Sequence, residues 1–191
     1  MPKISLQKTY IIACEGLAEK KLFTQINKWI PEIYTPDETK YLDIDNITDL
    51  KGGSMLAQLN KIKKNYKNSK HTDREFNSIV WITDKDLFDI LSFNQWKKDN
   101  PELAKMFDIV IVFIPAIEGL YLEIFNIKYS AKTKTDDLKI LCRQEINKLY
   151  HTNYEKTPKE EIFKPKLLHF YKSDKKTRNA KNLKQIVEIF K

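Results

Sequence analysis

The chain has 191 residues, of which 41% are hydrophobic and 31% are charged, and its formal net charge is +8 at pH 7. This length and composition are typical of one well-packed domain and argue against global disorder. No apolar run approaches the roughly 20 residues that cross a bilayer, and the first ten residues show no apolar core of a signal peptide. Cys14 and Cys142 form no CxxC pair, which argues against a zinc site and indicates a reduced compartment. We therefore expect a cytoplasmic protein that does not engage membranes.

Positive charge is concentrated in the last third of the chain. Residues 1–127 hold 17 basic and 18 acidic side chains, whereas residues 128–191 hold 17 basic and 8 acidic ones. Such asymmetry is typical of proteins that bind a polyanion, most often nucleic acid. A lysine-rich solvated surface would produce the same pattern, so charge alone leaves both interpretations open.

Three apolar runs predict buried parallel strands, because they are rich in Ile and Val and nearly continuous rather than alternating. They are residues 9–14 (TYIIAC), 78–83 (SIVWIT) and 108–116 (DIVIVFIPA). The alternating run at 41–47 predicts a further strand towards an edge of the sheet.

Amphipathic segments between these runs predict helices. We expect helices over 22–30, 56–66, 89–98 and 101–106, with Pro31 ending the first, Ser54 capping the second and Pro101 starting the last. Strands that alternate with helices indicate an α/β domain with a mainly parallel sheet flanked by helices.

The chain beyond Phe125 changes character and predicts a basic, mainly helical segment. Helices are expected over 133–150 and 179–190, and Pro158 and Pro165 are expected to break the stretch between them. We expect residues 1–127 to form the α/β core and residues 128–191 to form an extension that packs on it.

Acidic residues follow the predicted central strands. Glu15 follows the first strand, Asp84 and Asp86 follow the second, and Glu118 follows the third. Because the carboxyl ends of parallel strands lie at one edge of a sheet, where ligands bind, we expect these acids to converge. Glu19 lies four residues after Glu15, so a helix that begins directly after the first strand would return its side chain to this edge.

Glycine placement supports the same site. The chain has only four glycines, and Gly16 and Gly119 directly follow Glu15 and Glu118. Glycine at these positions is expected to permit a tight strand-to-helix turn and close approach of a ligand to the backbone.

Carboxylates that share a crevice repel one another, and a divalent cation relieves this repulsion. Oxygen ligands without nearby His or Cys favour Mg²⁺ or Mn²⁺ over zinc. The expected ligands are Glu15, Glu19, Asp84, Asp86 and Glu118. Taken singly, each acid has an ordinary alternative, since Asp84 could cap the following helix and Glu19 could pair with a surface lysine. The metal-site hypothesis therefore depends on their joint arrangement.

These residues resemble the TOPRIM domain of topoisomerases, primases and OLD-family nucleases, in which one strand ends in a Glu–Gly turn and a later strand ends in DxD. The matching segments are IIACEG and VWITDKD. The chain is more closely similar to the small RloB-like TOPRIM proteins of bacterial and phage-defence loci. CEGLAEKKLF, TDKD and IPAIEGLYLEIF match that family in order, over residues 9–127, and FYKSDKK, centred on Lys172, resembles its late lysine-bearing region.

The resemblance implies a Mg²⁺-dependent nuclease that hydrolyses phosphodiester bonds of DNA or RNA in antiviral defence. In such sites two ions about 4 Å apart, here Mg²⁺ or Mn²⁺, activate water and stabilise the leaving oxygen. Glu15, Asp84 and Asp86 would hold one ion, Glu19 and Glu118 would complete or bridge to a second, Gly16 would let phosphate approach, and Lys172 would stabilise charge on the phosphate. A neighbouring ATPase or defence partner and homodimerisation are also implied.

Two other functions are open from the sequence. The chain could be a catalytically silent TOPRIM module that binds nucleic acid or docks a partner. VWITDKD also resembles the strand end of haloacid-dehalogenase-like phosphatases, in which the first aspartate, here Asp84, is a nucleophile. Phe88 stands where that family has Thr or Val, which argues against this alternative.

Overall fold

Four parallel strands form a single sheet in the computed structural model, which describes residues 10–29, 47–69, 78–148, 150–154 and 159–189. The strands are β1 (Tyr10–Cys14), β2 (Ile47–Asp49), β3 (Ser78–Asp84) and β4 (Phe107–Phe113). Their spatial order is β2-β1-β3-β4. The predicted α/β class with a parallel sheet is confirmed.

Eight α-helices accompany the sheet within the described ranges. They are α1 (Leu17–Trp29), α2 (Met55–Ser69), α3 (Ile90–Asp99), α4 (Pro101–Ala104), α5 (Ile117–Ile124), α6 (Thr135–Cys142), α7 (Glu160–Lys172) and α8 (Arg178–Ile189). The chain continues directly from α6 as a π-helix over Arg143–Lys148. None of the described helices combines the length and the apolar composition that crossing a membrane requires.

Helices cover both faces of the sheet, which explains the continuous apolar runs. Every residue of β3 is buried. Val80 and Ile82 pack into one hydrophobic cluster with α1 and α5 to α8, whereas Ile79 and Trp81 pack into a second cluster with α2 to α4. Since neighbouring residues of a strand point to opposite faces, both must be apolar when both faces are covered.

The strand ends differ in part from the predicted ones. β1 and β3 agree within one residue, but β4 ends at Phe113 and is followed by a cis Ile114–Pro115 bond. Ala116 then serves as the extended N-cap residue of α5. Glu118 therefore lies in the first turn of a helix and not directly after a strand. The edge strand β2 begins at Ile47, and residues 41–46 of its predicted run lie outside the described residues.

The predicted helices of the core are present, but α1 begins five residues before its predicted start, whereas the other bounds differ by at most three residues. Ser54 caps α2, because its hydroxyl accepts a hydrogen bond from Ala57 N at 3.3 Å. Pro101 occupies the first turn of α4, as predicted. Pro31 and Pro158 fall outside the described residues.

The predicted break at Pro165 is wrong, because α7 runs through this residue. Proline has no N–H to donate to the carbonyl four residues earlier, here that of Glu161. Pro165 and Glu161 are both exposed, so water can satisfy that carbonyl. Phe163 and Leu167 on the buried side hold the helix against the core.

The basic C-terminal segment shares its hydrophobic cluster with the sheet. Leu183 and Ile186 of α8 belong to the same cluster as Ile12 of β1. Asn182 Nδ2 also donates a hydrogen bond of 2.7 Å to Val112 O of β4. Segment and sheet thus pack together through α8 and β4.

Candidate metal centre

The ends of β1 and β3 lie side by side at the carboxyl edge of the sheet. These strands are neighbours, with Cys14 paired to Ile82. The chain moves outward from β1 to β2 and later from β3 to β4, so the strand order reverses between β1 and β3. Such a switch point is where parallel α/β sheets bind ligands. Glu15 follows β1 and Asp84 ends β3, which places both acids at this switch point.

The carboxylate of Glu15 joins the two strand ends. Its Oε2 accepts hydrogen bonds from Thr83 Oγ1 at 2.8 Å and from Asp84 N at 3.0 Å. The Glu15 backbone is also held on both sides, by Ile82 O at 3.0 Å and Gly52 N at 2.7 Å. Both side-chain hydrogen bonds use Oε2, so Oε1 lies outside them.

The carboxylate of Asp84 is buried, with only 6% of the residue exposed. Its Oδ1 accepts a hydrogen bond of 2.9 Å from Ile117 N, the first residue of α5. The partial positive charge at a helix N-terminus favours a carboxylate at this position. Asp84 therefore connects β3 to α5. It does not cap α3, the next helix along the chain, which is capped by Asp89 through a hydrogen bond from Ser92 N to Asp89 Oδ2.

Glu19 is also buried, at 4% exposed, although it is an acid on α1. Its Oε2 accepts a hydrogen bond of 3.0 Å from Gly16 N. A Cβ atom at Gly16 would lie 3.3 Å from the same oxygen. Gly16 thus allows the Glu19 carboxylate to fold back over the turn. The alternative that Glu19 forms a surface ion pair is wrong, because the side chain is not at the surface.

Burial and mutual repulsion raise the pKa of two of these carboxyl groups. Desolvation is the main cause for both Glu19 and Asp84, and the charges of Glu15 and Glu118 raise each pKa further. Glu118 is itself buried in the first turn of α5. Because the charges of Glu15 and Glu118 act on both Glu19 and Asp84, we treat these four residues as one group, the acid cluster. A divalent cation among them would favour their charged forms.

The acid cluster is organised by backbone hydrogen bonds and not as a finished coordination shell. Within the ranges that the structure describes, no three His, Cys, Asp or Glu side chains are arranged as a ready-made metal site. The hydrogen bonds described above use Oε2 of Glu15 and Oδ1 of Asp84. They do not involve the other carboxylate oxygens, Oε1 of Glu15 and Oδ2 of Asp84. The oxygen chemistry, the burial and the charge of the cluster fit Mg²⁺ or Mn²⁺.

Asp86, the second aspartate of DxD, has a different environment. It is exposed in the turn after β3, and its Oδ2 accepts a hydrogen bond of 2.9 Å from Thr135 Oγ1 in α6. The two aspartates therefore engage different elements, Asp84 binding α5 and Asp86 binding the start of α6.

Lys172 is exposed at the C-terminal end of α7. The loop after it contacts α5 through Glu123, whose backbone carbonyl accepts from Lys175 Nζ at 3.4 Å and whose carboxylate accepts from Thr177 Oγ1. This loop thus lies beside the last turn of α5, while Glu118 lies in its first turn.

Gly119 serves packing inside α5. A Cβ atom there would lie 2.7 Å from Tyr129 Oη and 3.1 Å from Asn179 Nδ2. The expectation that Gly119 forms a strand-to-helix turn is wrong, because β4 ends six residues earlier and Gly119 is already helical.

Asp49 is an acid at this edge that was not predicted from the sequence. It ends β2, and its Oδ1 accepts a hydrogen bond of 2.7 Å from Lys51 N. After burial and the charge of Glu19, the Asp49 charge further raises the pKa of the buried Cys14 thiol. The sequence holds a signal for this position, because Asp49 lies two residues after the apolar Ile47, as an acid at a strand end would. The predicted strand ended at residue 47, so Asp49 was not assigned to a strand end.

Comparison with protein-family models, curated proteins and solved structures finds no match to this chain. Its function is therefore inferred from the geometry of the acid cluster and from the chemistry of the surrounding surface.

Proposed function

We propose that the protein is a Mg²⁺- or Mn²⁺-dependent nuclease that hydrolyses phosphodiester bonds of DNA or RNA. The observation that carries the proposal is the burial of three carboxylates, those of Glu19, Asp84 and Glu118, beside half-buried Glu15 at the switch point of the sheet. Burying Glu19 and Asp84 near two further acids destabilises their charged forms. Perturbed acids in a crevice are a common property of functional sites.

The residues of the cluster divide into two roles. Glu15 and Asp84 would hold a cation through Oε1 and Oδ2, while the hydrogen bonds from Asp84 N and Ile117 N fix the orientation of both carboxylates. Glu19 and Glu118 would complete the negative charge of the site, and Glu19 and Asp84, whose pKa values burial raises, would lose their protons when the cation binds. The bound metal would act as a Lewis acid that activates water and stabilises charge on the phosphate.

The charge distribution and the sequence resemblance support a nucleic acid as substrate. The basic segment 128–191 packs through α6 to α8 on the sheet and on α5, the helix that carries Glu118. The RloB-like pattern of CEG, DxD and the late glutamate supports TOPRIM-type chemistry in antiviral defence. By the same resemblance, the protein would form a homodimer and act with an ATPase partner.

Isosteric substitutions test the proposal directly. Glu15→Gln and Asp84→Asn keep a hydrogen-bond acceptor but remove the charge that would bind the cation. Asp89→Asn is the matched control, since Asp89 accepts a backbone hydrogen bond but is exposed at the start of α3. Plasmid DNA, single-stranded DNA and total tRNA are incubated with each protein and Mg²⁺ or Mn²⁺. We expect cleavage by wild type and Asp89→Asn only, and unchanged cleavage by Glu15→Gln and Asp84→Asn would refute the proposal.

Calorimetry with Mn²⁺ distinguishes a nuclease from a catalytically silent module. The proposal requires Mn²⁺ binding that Asp84→Asn weakens and Asp89→Asn preserves. A silent docking or nucleic-acid-binding module would show no Mn²⁺ affinity that depends on the acid cluster.

A further inference from the structure

A cleft of about 510 Å³ opens next to the ends of β3 and β4. One wall is the turn after β3, with Lys85 and Asp86, and the other is the segment 131–136 together with Lys139. Ile114 and Pro115, which follow β4, line the cleft between these walls. The cleft therefore lies at the same carboxyl edge of the sheet as the acid cluster.

Lysines dominate the charge of this cleft. Four lysines and two aspartates line it, the lysines being Lys85, Lys132, Lys134 and Lys139. Lys132 and Lys134 are exposed, and Lys139 is half-buried. None of these three makes an ion pair with any residue that the structure describes. One of the two aspartates, Asp86, already accepts the hydrogen bond from Thr135.

Local hydrogen bonds fix the wall that carries most of the lysines. Ser130 O accepts from Thr133 N at 2.9 Å, and Ser130 Oγ accepts from Lys132 N at 3.2 Å, which forms a turn. Lys134 O accepts from Leu138 N at 3.0 Å and begins α6. The opposite wall is held by Lys85 N, which donates to Phe113 O at 3.0 Å. The lysines are thus presented from ordered backbone on both sides.

We propose that this lysine cleft binds the phosphodiester backbone of a polynucleotide strand and, if the proposed nuclease function holds, leads that strand to the acid cluster. Ammonium groups suit phosphate oxygens, and the four lysines of the cleft outnumber its two aspartates. The residues lining the cleft include neither aromatic side chains for base stacking nor Arg, Asn or Gln for reading base edges. Binding therefore depends on the backbone and not on the base sequence.

A charge-matched pair of triple variants tests the lysine cleft. The cleft variant is Lys132→Gln, Lys134→Gln and Lys139→Gln. The control variant is Lys64→Gln, Lys67→Gln and Lys98→Gln, on α2 and α3, which cover the other face of the sheet. Both lose three positive charges. A double variant, Lys132→Gln with Lys134→Gln, changes only exposed residues. It tests the cleft without changing half-buried Lys139, whose substitution could affect folding.

Binding is measured by fluorescence anisotropy in EDTA, so that cleavage plays no part. The probes are short fluorescein-labelled single strands of DNA and of RNA, each in two unrelated sequences, over a range of NaCl concentrations. The cleft variant is expected to bind the labelled strands roughly 10-fold more weakly than wild type. The slope of log affinity against log salt concentration should become shallower by about 2, because each of the three lost phosphate contacts contributes about 0.7. The control should stay close to wild type, and the two sequences should bind equally.

The outcomes separate this inference from the proposed function. The lysine-cleft proposal is overturned if the cleft and control variants lose the same amount of affinity for the labelled strands, or if wild type does not bind them. If cleavage does not depend on the acid cluster but the cleft variant loses binding, the nuclease proposal fails and the cleft stands. If cleavage depends on the acid cluster and the cleft variant binds normally, the cleft alone fails.

Discussion

The carboxylate of Glu15 accepts a hydrogen bond of 3.0 Å from the backbone N–H of Asp84, 69 residues further along the chain. The carboxylate of Asp84 in turn accepts one of 2.9 Å from the N–H of Ile117. β1, β3 and α5 are thereby joined in series at the edge of the sheet. The acids proposed to bind a cation also hold the edge together, so substitution must separate these two roles.

Glu15→Ala is expected to lower the free energy of unfolding by about 1–3 kcal/mol, because it removes the acceptor of two part-buried donors, Asp84 N and Thr83 Oγ1. Glu15→Gln keeps an oxygen in the same place and should cost much less. Urea unfolding in EDTA measures both. Asp86→Ala serves as control, since an exposed acid in the next turn should change stability by less than about 0.5 kcal/mol. Equal losses for Glu15→Ala and Glu15→Gln would show that the hydrogen bonds contribute nothing.

The stability of the metal-free protein should fall as the pH rises above about 4. Burial and neighbouring charges raise the pKa of Glu19 and Asp84 in the folded state above the ordinary values of 4.5 and 3.8. In the unfolded chain both groups ionise near those values, so above them the folded state binds more protons than the unfolded state. The free energy of unfolding then decreases with pH, by at most about 1.4 kcal/mol per pH unit for each proton retained.

Asp84→Asn isolates this effect from the titration of other groups. The variant cannot ionise at residue 84, so its stability in EDTA should fall less than that of wild type between pH 5 and pH 8. Asp86→Asn should follow the wild-type curve, because Asp86 is exposed. Identical pH curves for wild type and Asp84→Asn would contradict the raised pKa.

Divalent cations should reverse the loss of stability at high pH. A ligand that binds only the folded state stabilises it by about 2.7 kcal/mol at a concentration 100 times its Kd. Because the carboxyl groups must lose their protons to bind, the rise in melting temperature with Mn²⁺ should be larger at pH 8 than at pH 6. Glu19→Gln should diminish the rise, and Asp89→Asn should leave it unchanged. A rise that is equal in all three proteins would place the ion elsewhere.

The sheet could be predicted from sequence because its strands are covered on both faces. Continuous Ile and Val in β1 and β3 are typical of strands buried in a parallel sheet, and the predicted bounds agree within one residue. The end of β4 was placed too late, since Ile114 and Ala116 continue the apolar pattern although the backbone has already left the sheet. Apolar composition alone does not distinguish a buried strand from the apolar, partly buried segment that follows it.

The position of the acids at one edge was predictable, but their contacts were not. Strand order makes neighbours of Glu15 and Asp84, and their spacing along the chain does not show it. The hydrogen bond from Gly16 N to the Glu19 carboxylate depends on the backbone conformation of the turn, which the sequence pattern does not show. The continuation of α7 through Pro165 depends on exposure of that residue, which local propensity does not contain.

Gly119→Ala is expected to destabilise the protein by up to about 2 kcal/mol. The new Cβ would lie 2.7 Å from Tyr129 Oη, which cannot easily move because it donates to Glu123 Oε1 at 2.7 Å and accepts from Asn179 Nδ2 at 3.0 Å. Overpacking costs about 1–3 kcal/mol, whereas alanine is favoured over glycine in a helix by about 1 kcal/mol. A net loss in urea unfolding would show that packing outweighs helix propensity here.

The double variant Gly119→Ala with Tyr129→Phe identifies the obstacle. Removing the hydroxyl opens space for the new methyl group, so the double variant should be more stable than the sum of the two single losses predicts. Gly16→Ala is the comparison, because its Cβ would meet only the end of the Glu19 side chain, at 3.3 Å. Strictly additive losses for Gly119→Ala and Tyr129→Phe would mean that the backbone of α5, and not the tyrosine, resists the substitution. Relief in the double variant would establish that the hydrogen-bonded tyrosine requires glycine at this position.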